Sequence, residues 1–87
     1  MRKPHEVLAH YPTLPPRERG EGWEEYLRRL EARLAELEAG WGDWLRLPPR
    51  PEVYLADPYL AWAWPQARDE VMVLREAIRD LRRALRR

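Results

Sequence analysis

From Trp23 onward, the apolar residues Trp23, Leu27, Leu30, Leu34, Leu37, Trp41 and Trp44 recur at alternating spacings of four and three. A repeat of about 3.5 residues runs close to the turn of an α-helix, so these side chains form one continuous stripe, as on a helix packed lengthwise against another. A second stripe comprises Val71, Leu74, Ile78, Leu81 and Leu85, and extends backward through Ala67, Trp64 and Leu60. Two such stripes make the expected fold class all-α. Residues 23–39 contain no Pro, Gly or β-branched residue, and Glu21, Glu24 and Glu25 stand where a helix's positive dipole end favours acids. Gly40 is a natural stop, which places the first helix at about 22–39, while the unbroken phase leaves open a continuation toward Leu45. Pro65 suits the first turn of a helix but costs about 3 kcal/mol in the interior. The second helix is therefore expected over about 65–86, with Asp57-Pro58 opening a separate short turn. Between them lies a long Pro/Trp-rich connector, residues 40–64.

The charges beside the stripes suggest a direction. With Leu27 and Val71 taken as heptad position a, the e positions are Glu24, Glu31 and Glu38 on one helix and Arg68, Arg75 and Arg82 on the other. Positions e face each other only when the partner runs backward, so the pattern selects an antiparallel helical hairpin. The expected pairs are Glu24–Arg82, Glu31–Arg75 and Glu38–Arg68, each with residue numbers totalling 106. The core layers, such as Leu27 with Leu81 and Leu34 with Leu74, total 108. Exposed ion pairs contribute only about 0.3–1 kcal/mol each, so they specify register more than they stabilise.

Two helices cannot enclose a core, and a chain of 87 residues makes a marginal domain by itself. With no Cys, disulfides and thiolate metal sites are excluded and a partner chain is the remaining support. Residues 71–74 read VMVL, so Met72 and Val73 face away from the hairpin seam, while Ala32, Ala35 and Ala39 line the outer side of the first helix. These residues are the candidates for homodimer contacts, and the expected assembly is a four-helix bundle. No apolar run is long enough to span a membrane and no secretory leader is visible, which leaves the cytoplasm as the expected compartment. Fifteen Arg against one Lys, with Asn and Ser also absent, fits a thermophile protein.

The tryptophans divide. Trp23, Trp41, Trp44 and Trp64 are in phase with the seams and are expected to pack as core or end caps. Trp62 lies about 200° from Trp64 on a helix, so the two cannot both face one core. Trp62, with Tyr59 and Tyr54 nearby, is accordingly the candidate partner-contact surface. The motif LPPR occurs at 14–17 and again at 47–50, and both copies are expected to lie across the chain's own Trp rings or those of a dimer mate. Residues 1–20 read as a Pro-containing N-terminal arm with a short turn at 4–10.

Motifs for chemistry are missing. His5 and His10 stand five apart, which is not the HExxH spacing of a metal-binding helix, and no third ligand is evident. There is no Ser nucleophile and no Gly-rich phosphate loop. The chain is expected to be no enzyme and to carry no cofactor or metal. The net charge is only +1, but Arg79, Arg83, Arg86 and Arg87 gather on the outer face of the second helix. That stripe makes nucleic-acid binding the alternative to the leading expectation, a small protein–protein interaction module or accessory subunit acting as a helical dimer.

Overall fold

The computed structural model of the chain describes residues 2–86, which form four α-helices and one 3₁₀ turn, with no strand among them. The helices are α1 (Pro4–Ala9), α2 (Trp23–Trp41), α3 (Pro51–Ala56) and α4 (Pro58–Leu85), and the 3₁₀ turn is Gly42–Leu45. The all-α class is thus observed.

Helix α4 is longer than the sequence signals suggest. Asp57 caps it, its carboxylate accepting from the Tyr59 and Leu60 amides at 3.1 and 3.4 Å, and Pro58 occupies the first turn. What reads as a separate turn is therefore the start of the main helix. Pro65 sits inside α4 on an exposed side, where water can take the carbonyl its ring leaves without a donor. Burial of Leu60, Ala63 and Ala67 on the opposite side spans the proline and offsets its cost.

Helix α2 likewise passes through Gly40 and stops only at Gly42, whose φ of +57° suits a residue without Cβ. The residues at 40–57 are then no loose connector. They form the 3₁₀ turn and α3, and α3 packs on α4. The N-terminal segment is not a free arm either. Six residues cannot hold a helix in isolation, and α1 forms because it docks on α4. Val7 is 3% exposed there, and Leu8, Tyr11 and Leu14 pack half-buried against the same core.

Helices α2 and α4 pack together in opposite directions. The core between them centres on Tyr26, Leu30, Val71 and Leu74, each no more than 1% exposed. The ion pairs differ from those expected. Glu31 meets Arg82, and Glu38 meets Arg75 at 2.9 Å, one heptad further along α4 than the e positions imply. Arg68 instead lies over the Trp64 ring, 5.6 Å from its centroid. On the other side of the seam, Arg33 holds Glu70 at 2.8 Å. The two e-side pairs have residue numbers totalling 113, and the Arg33–Glu70 pair totals 103. These straddle the 108 of the expected core layers. Opposite slips on the two sides are what an oblique helix crossing produces, whereas a coiled-coil seam would keep them level.

At this mean register the end of α2, Trp41, stands level with about residue 67 of α4. The first nine residues of α4 therefore project roughly 13 Å beyond α2. There α3 takes over the covering role, and Leu60 and Ala63 are buried.

Candidate contact surface

A helix brings residues i, i+3, i+7, i+10 and i+14 onto one side. On α4 these are Tyr59, Trp62, Gln66, Asp69 and Val73, and the same side continues through Ala77, Asp80 and Ala84. The two halves of this side have different fates. Toward the C-terminus it is covered by α1 and Tyr11. Ala77 is 1% exposed, and the Tyr11 hydroxyl donates to the Asp80 carboxylate at 2.5 Å. That hydrogen bond, reinforced by burial, pushes the Tyr11 phenol up to about 12, and the same donated proton holds Asp80 below the usual carboxylate range.

Toward the N-terminus the same side is open. Gln66, Asp69, Glu70, Val73 and Leu74 of α4, Arg29, Leu30 and Arg33 of α2, and residues 13–15 line a groove of about 770 Å³. Leu30 and Leu74 lie buried at its base, and Leu14 and Val73 stand half-buried along it. Arg33 and Glu70 pair across its edge through two hydrogen bonds, at 2.8 and 3.1 Å. Asp69 pairs with no cation among the described residues. The wall made by residues 13–15 is pinned from behind. The Tyr26 hydroxyl donates to the Pro15 carbonyl at 2.6 Å, and Arg29 reaches the Pro16 carbonyl at 3.0 Å. Arg29 also holds Glu21 at 2.9 Å, which lowers the Glu21 pKa. Arg17, the last residue of the first LPPR segment, stacks over Trp23, 4.2 Å from the ring centroid.

Before Gln66 on the same side of α4 stand Tyr59 and Trp62, 68% and 63% exposed, with ring centroids 6.2 Å apart. Trp64, on the opposite side of α4, is half-buried and donates its indole N–H to the Trp44 carbonyl at 2.8 Å. The divergence of Trp62 from Trp64 is therefore present. Trp23 and Trp41 pack half-buried on the core. Trp44 departs from the expected plug, because the helix ends before it. It lies 40% exposed beside Trp41. Leu47, Val53 and Leu55 are also exposed, so residues 44–62 hold most of the exposed large apolar side chains of the described chain.

The remaining candidates are scattered. Tyr54 is half-buried, Met72 is 51% exposed, and Ala32, Ala35 and Ala39 are exposed on the outer side of α2. Arg79, Arg83 and Arg86 are exposed, but Arg79 lies 3.5 Å from Asp80 and Arg86 has extended backbone just past the helix. Arg87 lies outside the described residues. His5 and His10 are exposed, and among the described residues no group of three or more His, Cys, Asp or Glu is placed to hold a metal. No described helix is long and apolar enough to cross a membrane.

The groove itself was missed in sequence because three separate segments build it. Its one available signal was the spacing of Gln66, Asp69 and Val73 after Trp62, hidden by starting the helix at Pro65. No protein-family model, curated protein or solved structure matches the chain.

Proposed function

We propose that this protein is a non-catalytic protein–protein interaction module, an accessory subunit that works as a helical dimer, with α2 and α4 forming the hairpin that a second copy completes into a four-helix bundle. The observation that supports this most is the uncovered half of the α4 side from Tyr59 to Val73. Two neighbouring rings about two-thirds exposed are costly to leave in water, and contiguous apolar surface of this kind beside a groove marks contact sites. The absence of a recognisable nucleophile, phosphate loop or paired acid–base motif in the sequence agrees with a binding role.

The test is a pull-down of the tagged full chain from its native cells, with and without nuclease, beside the Tyr59→Ala/Trp62→Ala double variant. The expected result is a protein, either a second copy or another chain, retained in both wild-type runs and lost with the variant. Unchanged retention by the variant contradicts the site. Association that vanishes with nuclease, and with Arg79, Arg83, Arg86 and Arg87 all changed to Gln, replaces this reading with nucleic-acid binding along the Arg stripe.

A further inference from the structure

The side of α4 that carries Tyr59 and Trp62 also carries the groove, and the two are self-complementary. We infer that the surface docks a second copy of this chain, with the Tyr59 and Trp62 rings of each protomer seated in the groove beside Gln66, Asp69 and Val73 of the other. This inference rests on the interaction-module reading and names the partner of its site.

Three observations carry it. The first is continuity with the part of the same α4 side that α1 covers within the chain. Along Ala77, Asp80 and Ala84 the side between α2 and α4 is filled by α1, with Val7 buried and Tyr11 bonded to Asp80. Along residues 59–73 the same side lacks this third helix, and an antiparallel α4 from a second copy supplies it. The second is symmetry. A two-fold axis beside Gln66 sets residue 59 against 73 and 62 against 70, so ring end meets groove end on both sides of one isologous contact. Trp62 then comes to Asp69, an acceptor with no cation partner among the described residues, and to Arg33 at the groove edge, which offers a cation to the ring face.

The third is area. A large aromatic covers roughly 150–250 Å² when fully buried, and Trp62 and Tyr59 are 63% and 68% exposed. The four rings of two copies contribute about 400–650 Å², and with the groove lining they cover the contact comes close to the threshold of about 1,000 Å² for a specific interface. The outer Ala stripe of α2 (Ala32, Ala35, Ala39) offers no comparable payload.

The chain has no cysteine, so a single introduced thiol reports the geometry cleanly. Purified full-length protein is examined by sedimentation across the micromolar range, together with Trp62→Ala and the single-thiol variants Gln66→Cys and Arg28→Cys. Gln66 lies beside the two-fold axis, and Arg28 is exposed on α2, away from the groove. The expected result is a dimer weakened by roughly tenfold or more in Trp62→Ala, and a disulfide-linked dimer from Gln66→Cys that forms much faster than from Arg28→Cys. Circular dichroism of Trp62→Ala checks that the exposed change leaves the helices intact. A dimer indifferent to Trp62→Ala, with the two thiols linking equally slowly, overturns the inference, as does a monomer at every concentration. In the monomer case, loss of a different bound protein with the Tyr59→Ala/Trp62→Ala variant keeps this surface as a protein contact site, while the helical dimer and the present inference both fall.

Discussion

Among the described residues, the Tyr11–Asp80 hydrogen bond is the one polar side-chain link between the N-terminal segment and α4, and its ionisation shapes the pH dependence of folding. Tyr11 has its folded pKa raised from 10.0 to about 12, so its contribution is complete below pH 10.0 and is lost as pH rises toward 12. Asp80 has its pKa lowered from 3.8, so its contribution is complete above that value and is lost as pH falls through the lower folded one. Tyr11→Phe removes both limbs together. The expected cost at neutral pH is about 1–2 kcal/mol, at the low end for a hydrogen bond to a charged group because both side chains are only half-buried. Chemical denaturation of both proteins across pH should give a difference that is flat between the two limbs and shrinks beyond each. A difference independent of pH throughout would show that the hydrogen bond does not hold α1 in place.

At the scale of elements, the apolar heptads made α2 and the C-terminal two-thirds of α4 legible, because burial of one stripe dictates them. Pro65 hid the start of α4, since local propensity opposes it and only the packing of Leu60 and Ala63 under α3 overrides that preference. The register was half legible. Heptad charges indicated that the helices run in opposite directions, but they cannot encode the crossing angle, which depends on the packing of Tyr26, Leu30, Val71 and Leu74. Double-mutant cycles with charge reversal settle the difference. Coupling of about 0.3–1 kcal/mol is expected for Glu31 with Arg82 and for Glu38 with Arg75, and none for Glu24 with Arg82 or Glu31 with Arg75. Coupling confined to the latter pairs would mean a level coiled-coil seam. The short turn expected at 4–10 matches α1, Pro4–Ala9, but its docking on α4 was not legible, because six residues carry no periodic signal to say which side is buried.

At the scale of the whole molecule, dimensions of 48 × 24 × 21 Å describe a rod whose two ends differ. At one end two elements, α1 and α2, cover α4. The other has the projecting first turns of α4, backed by α3 and open beside the groove. Trp62 was legible as the odd tryptophan from helical geometry alone, whereas the groove needed the fold, since Leu14 and Leu30 reach it from segments distant in sequence from Val73. The most direct measurement of whether this open side is a contact surface is photo-crosslinking in the native cells. A benzophenone amino acid replaces Gln66, which lines the groove, and in a control it replaces Arg28. A discrete protein adduct from position 66, absent from position 28 and diminished when Trp62→Ala is added, is the predicted result. No adduct at 66 beyond that at 28 would contradict a contact surface on this side of α4.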